Sequence, residues 1–431
     1  MVKSFSTLLH QLFKNPLLYG SFLVFLGTMA GNLFQFLFNL FMTRNLSVVD
    51  YGILASLMSL VMLPALVSSA IFPTVVSFAS TFYAKNQLPM VKKLFMTVSK
   101  LSFVLGIVTF MVFVLFSEEI GAFFQITETF YITLAGATVF LGFITIVNNA
   151  LLQAKLDFSY VSFISFLSSL LKFVFGAFFV LIGMSVTGAM LGMILASIAG
   201  YLLTFIPLRK TLSQSSAEDG VKLLTLLRFG GPAALMFFSL TSFITIDIVL
   251  VKHFFTPEEA GLYAGLSLVG RVIFFVSAPI SLVLLPVLTQ EHTKKHKVTK
   301  DIIIAFFLVL VPSVVLTTIY TLFPQNVIAF FLKNKEYLLI SDLLPLFAVY
   351  ITCYSLVFLL ANIFLSIKRT EVSAVLGIGA LTQIILICLF HESFQQVIVI
   401  NLGVVSILLF VLLVYYLAVK GSINKHEKIS D

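Results

Sequence analysis

Twelve apolar runs follow one another along this chain, at about 17–42, 52–83, 94–116, 130–153, 158–182, 185–207, 231–255, 260–289, 302–323, 341–366, 372–390 and 395–418. Each is near or above the roughly 17 to 25 residues that an α-helix needs to cross a bilayer. A backbone in hydrocarbon must satisfy its own hydrogen bonds, so runs of this length become helices. Of the 431 residues, 60% are hydrophobic and only 10% charged, against roughly 25% charged in a soluble domain. The reading is an all-α polytopic membrane protein with about 12 transmembrane helices.

Charge placement orients these spans. With the N-terminus inside, twenty of the 26 Lys and Arg fall in inner segments. Arg44, Lys252, Lys333 and Lys335 fall outside, and Lys172 and Arg271 stay within spans. That bias places both termini in the cytoplasm. The same clustering removes nucleic acid as a partner for the formal charge of +8, because no basic domain carries it. The first run is too long for a signal peptide and is expected as a retained helix. Before it, Phe5, Leu8, Leu9, Leu12 and Phe13 share one face of an amphipathic segment suited to the membrane surface. Cys353 and Cys388 lie in apolar runs and are expected as packed thiols.

The chain repeats itself. RNLSVVDYG at 44–52 aligns without gaps on HFFTPEEAG at 253–261. Each copy reads as a capping box, with Ser47 or Thr256 at the N-cap, Asp50 or Glu259 reaching back, and Pro257 reinforcing the second. Both copies start the second helix of a half. LLHQLFK at 8–14 likewise resembles LLTLLRF at 223–229. The expected organisation is an N-terminal six-helix half at 1–207, a cytoplasmic linker with an amphipathic segment at 208–230, and a C-terminal six-helix half at 231–431. Parallel repeats of this kind surround a central cavity. Pro64 and Pro73 in the second helix correspond to Pro279 and Pro286 in the eighth, where freed carbonyls either line a cavity or fix a packing kink.

Three ionisable residues, Lys172, Asp247 and Arg271, lie within spans, roughly 12 to 17 Å from the outer helix ends at 1.5 Å per residue. An ionisable group at membrane depth costs about 2.5 to 3.5 kcal/mol on insertion scales, which marks all three as candidates. Lys172 and Arg271 suit an anionic headgroup, and Asp247 suits a coupling cation. Asp247 and Arg271 can instead neutralise each other, since they sit on consecutive antiparallel helices. Asn32, Gln35 and Asn39 form a polar stripe on the first helix, expected to line the cavity. Other polar residues in spans, among them Asn148, Asn362, Gln383 and Asn401, are expected to join helices by hydrogen bonds.

Enzymatic and ATP-driven chemistry lacks its motifs. There is no G-x-x-x-x-G-K-[ST] loop and no G-x-S-x-G elbow, and His292 and His296 stand in a Lys-rich loop without a metal-binding context. No cofactor and no metal are expected. The outer loops are too short to hold a glycan-assembly active site.

GNLFQFLFNLFMTRNLSVVDYGILASLMSL at 31–60 and DIVLVKHFFTPEEAGLYAGLSLVGRVIFF at 247–275 resemble the polysaccharide-unit flippases of the multidrug/oligosaccharidyl-lipid/polysaccharide exporter superfamily. The resemblance implies a two-lobed, alternating-access transporter in the bacterial plasma membrane, with membrane lipid and a polyprenyl-pyrophosphate-linked oligosaccharide as its partners. The resemblance also implies cationic cavity residues that suit the pyrophosphate, which fits Lys172 and Arg271, and a proton or sodium ion at Asp247 would couple transport. The first rival is a cation-coupled multidrug antiporter of the same architecture, which would favour acidic cavity residues. The second is a membrane-embedded glycan-assembly enzyme.

Overall fold

A computed structural model describes residues 16–62, 65–216, 223–278, 299–366, 369 and 371–423. The amphipathic segment at 5–14, Pro64, Pro279, Pro286, His292 and His296 lie outside the described residues. Among the described residues every regular element is a helix. In chain order they are α1 Pro16–Asn45, α2 Val48–Met62, α3 Ala65–Ala84, α4 Leu88–Leu115, α5 Ser117–Phe123, α6 Thr129–Ala154, α7 Phe158–Leu181 and α8 Ser185–Leu212. Then come α9 Leu223–Phe243, α10 Ile246–Phe254, α11 Pro257–Gly270, α12 Thr299–Leu322, α13 Pro324–Phe331, a 3-10 helix Lys335–Leu343, α14 Leu344–Ser366, α15 Val372–Leu389 and α16 Phe394–Ile423.

Among the described residues nine helices are long and apolar enough to cross a membrane, or ten when α9 and α10 count as one bent span. The helix of α11 resumes beyond Arg271 and is described to Ala278. The outward faces confirm the solvent these helices are built for. Only 22% of the apolar window of α4 is buried, and Phe103, Val108, Met111 and Leu115 on it are exposed. A surface so apolar is stable against lipid and not against water. Cys388 joins it, exposed on α15, while Cys353 is half-buried, so only the latter behaves as the packed thiol expected.

Local sequence sets the helix ends. Pro89 stands in the first turn of α4, where its missing N–H costs nothing. Asn86 takes the left-handed conformation, φ 55°, at the end of α3, with Gln87 N donating to Phe82 O at 2.9 Å. The capping box at Thr256 is complete: Thr256 accepts from Glu259 N, and the Glu259 carboxylate accepts from Thr256 N at 3.0 Å. In the first copy, Ser47 accepts from Asp50 N at 3.0 Å.

The chain forms two compact units. The first comprises residues up to Met42, Pro64–Gly121 and Glu128–Gly231. There α7 packs along α8, and α6 packs against α3, α4 and α8, around a core that includes Val91, Leu94, Val147, Leu151 and Leu208. Asn148 donates to Thr204 at 2.7 Å and ties α6 to α8. The second unit comprises Thr43–Leu63, Ala122–Thr127 and everything from Pro232. In it α14 packs against α12 and α16, and α2 packs against α11. Ser277 donates to Ser355 at 3.1 Å, and Thr317 and Thr352 share a hydrogen bond of 2.8 Å. These polar pairs, the first buried and the second half-buried, join helices, as expected of most polar residues within spans.

Candidate functional site

In the first unit the elements that matter are α1 and α7. Small residues let their backbones approach: a Cβ on Gly27 would stand 2.6 Å from Ser162 Cβ, so only glycine fits. Phe34 and Phe41 of α1 both pack on Phe173 of α7, with ring centroids 6.2 and 6.0 Å apart. This packing carries Gln35 to Lys172. The Lys172 ammonium donates to Gln35 Oε1 at 2.9 Å and stands 4.5 Å from the centroid of the Phe38 ring. Asn39 donates to the backbone carbonyl of Gln35 at 2.8 Å, a bond to its own helix. Asn32 lies one turn before Gln35, half-buried. Three ion pairs are formed among the described residues, and Lys172 takes part in none of them. A neutral amide and an aromatic face hold this cation in place while leaving its charge uncompensated.

The second unit treats its charges differently. The span expected to run unbroken through 231–255 is broken at Ile244 and Thr245, and α10 leaves α9 at 46°. Asp247 thereby falls in the first turn of a new helix, where the N-terminal dipole favours an anion. Its Oδ1 accepts from Ile248 N at 2.9 Å. Arg271 stands where α11 is interrupted before its helix resumes. Its Nη2 lies 3.1 Å from Oδ1 and 3.3 Å from Oδ2 of Asp247, while Tyr263 donates to Oδ2 at 3.0 Å. Asp247 is wholly buried and both its oxygens are satisfied. The Arg271 side chain keeps 14% exposure and a buried Nε without a hydrogen-bond partner.

The break needs its own support, since a carbonyl freed inside a membrane must find a donor. Phe243 O accepts from the Tyr350 hydroxyl and from Gln383 Nε2 at 3.2 Å. Leu240 O accepts from the Tyr354 hydroxyl at 2.9 Å. Gln383 also donates to Asn401 at 2.8 Å, which links α15 to α16. Sequence reasoning missed the three tyrosines, because their partners are a carboxylate and carbonyls set by the fold. Lys252, counted on the outer side, lies in the last turn of α10 and is 1% exposed, a burial that the sequence did not announce.

A family model described as polysaccharide biosynthesis protein matches residues 41–332, which take in both copies of the repeat, Lys172, Asp247 and Arg271. The chain belongs to that family. No curated protein matches it. Among solved structures, a multidrug resistance MATE family transporter of the MOP superfamily, in an inward-facing conformation, is similar with a TM-score of 0.76 at 15% identity, over 93% of this chain and 96% of that one. The MATE multidrug transporter DinF-BH is similar with a TM-score of 0.71 at 14% identity, over 92% and 94%. A MOP superfamily transporter from Pyrococcus furiosus, for which reverse polarity of the binding pocket suggests a different function, gives 0.68 at 15% identity, over 95% and 97%. At these identities the likeness establishes the fold, which is that of MOP superfamily transporters.

Proposed function

We propose that this protein is a flippase that moves a polyprenyl-pyrophosphate-linked oligosaccharide from the inner to the outer leaflet of a bacterial plasma membrane by alternating access, with both termini cytoplasmic. One observation carries the reading: the Lys172 ammonium, deep in a span, has neutral partners only. A fixed cation without a counter-charge favours an anionic headgroup, and membership of a polysaccharide biosynthesis family makes a lipid pyrophosphate the anion to expect. In this reading Lys172 contacts the pyrophosphate and Gln35 aims it. Asn32 and Asn39 line the approach.

Asp247 and Arg271 serve coupling. A proton or sodium ion arriving at Asp247 competes with Arg271 for the carboxylate and loosens the pair. The rival reading, a cation-coupled multidrug antiporter, draws on the fold shared with multidrug transporters. It gives Lys172 no work, because an organic cation is repelled by it.

The test is surface glycan export in cells whose only copy is Lys172→Ala or Lys172→Arg, with membrane insertion checked by immunoblot. Export is lost in the first variant and partly kept in the second. Normal export with Lys172→Ala, or loss of drug resistance with export intact, would refute the flippase reading.

A further inference from the structure

The two copies of the sequence repeat meet each other inside the second unit. α2 and α11 cross where Gly52 faces Gly261: a Cβ on Gly52 would stand 2.8 Å from Gly261 Cα, and one on Gly261 would overlap the carbonyl oxygen of Val48. The first residue of each copy is basic, and each reaches a short helix from the other half of the sequence. Arg44 donates from Nη2 to Phe330 O at 2.7 Å and from Nε to Phe331 O at 3.0 Å, capping the end of α13. His253 Nδ1 lies 2.8 Å from Phe123 O at the end of α5, and its ring stacks on Phe123 with centroids 3.9 Å apart. A carbonyl only accepts, so Nδ1 is the donor. Both helix ends carry the same tripeptide, Ala122-Phe123-Phe124, within which α5 ends at Phe123, and Ala329-Phe330-Phe331. The two contacts are therefore reciprocal, each half of the sequence clasping the other by the same device.

Lys252, next to His253, works against this arrangement. Its side chain is 1% exposed, and its Nζ has no hydrogen-bond partner among the described residues. A desolvated ammonium without hydrogen bonds is unfavourable even with the Glu258 carboxylate attracting it, and water would relieve it. A contact meant to stay shut would bury its fasteners and pair its charges. Here the fastener Arg44 is exposed, its carbonyl partners can be exchanged for water, and the Lys252 ammonium is buried without a hydrogen bond.

We propose that the α2–α11 crossing is a latch that opens and closes: the Arg44 and His253 clasps hold it shut, and buried Lys252, its ammonium without a hydrogen bond, loads it toward opening. The proposal rests on the reading of the chain as a transporter that changes conformation, and goes beyond it in naming the device. Its test uses the full chain in nanodiscs, with Cys353 and Cys388 replaced by Ser and one reporter cysteine at Ser56. Ser56 is buried on α2, one turn beyond Gly52. The readout is the rate of labelling by a water-soluble maleimide.

Arg44→Ala raises the rate about tenfold, the ratio that roughly 1.4 kcal/mol gives. His253→Ala raises it several-fold, Lys252→Met lowers it several-fold, and Lys252→Met combined with Arg44→Ala falls between the two. A control cysteine at Ser102, buried in the first unit, keeps its rate throughout. Unchanged Ser56 labelling in both clasp variants, or no slowing by Lys252→Met, overturns the latch. So does parallel acceleration at Ser102, which would mean general loosening. No substrate is needed, so a chain that obeys these rates but exports no glycan keeps the latch and loses the proposed function.

Discussion

Lys172 in the first unit and Arg271 in the second are both cations within membrane spans, yet their surroundings are opposite in kind. Arg271 sits against a wholly buried carboxylate that also accepts from Tyr263 and Ile248. Lys172 has an amide oxygen and a ring face. Desolvating an ion is offset only when geometry and hydrogen bonds close around it, as they do at Asp247. The difference separates two reasons for placing charge in a membrane. At Asp247–Arg271 the charges stabilise a broken helix, whatever further part coupling gives them, whereas at Lys172 stability alone gives no reason for the charge.

Substitutions should break this contrast unequally. The largest effect is expected from Asp247→Ala, which strands a mostly buried guanidinium and should cost about 3–5 kcal/mol. Thermal unfolding in detergent would read it as a clear loss of Tm, with Arg271→Ala similar. Asp247→Leu combined with Arg271→Met should recover most of that loss, because an apolar pair needs no compensation. If the double variant is as unstable as the singles, the pair is not what holds the break.

A smaller effect is expected from Tyr350→Phe, about 1 kcal/mol, because Phe243 O keeps its bond from Gln383. Adding Gln383→Leu should cost more than the sum of the two single changes, since a buried carbonyl is then left bare. A double-mutant cycle on thermal unfolding measures that excess, and strict additivity would show that the two donors do not share the carbonyl.

Much of the architecture was legible in the chain. The apolar runs mark the helices, and the repeat marks the residues that cross at Gly52 and Gly261. The capping box at Thr256 was legible because all its partners lie within four residues. The break after Phe243 was not, because neither Pro nor Gly announces it and its carbonyls are satisfied from Tyr350, Tyr354 and Gln383, more than 100 residues away. Asp247 was therefore read as a mid-span charge when it opens a helix. The burial of Lys252 was not legible for a related reason: packing by distant segments leaves no local trace. The polar stripe on the first helix was legible as a face, but that Gln35 among its members would meet Lys172 depends on how closely α1 and α7 approach.

The smallest effect on stability is expected at Lys172, where Ala should change unfolding by no more than about 1 kcal/mol, the sum of one modest hydrogen bond and a ring contact offset by relief of desolvation. The same substitution should have the largest effect on ligand binding. The direct test is equilibrium binding of a soluble polyprenyl pyrophosphate analogue, farnesyl pyrophosphate, to purified protein in nanodiscs at fixed salt. The account predicts that Lys172→Ala weakens binding at least about tenfold, roughly 1.4 kcal/mol or more, while its unfolding temperature stays near that of the unsubstituted protein. Equal affinity in both proteins would contradict the assignment of the uncompensated charge to the headgroup.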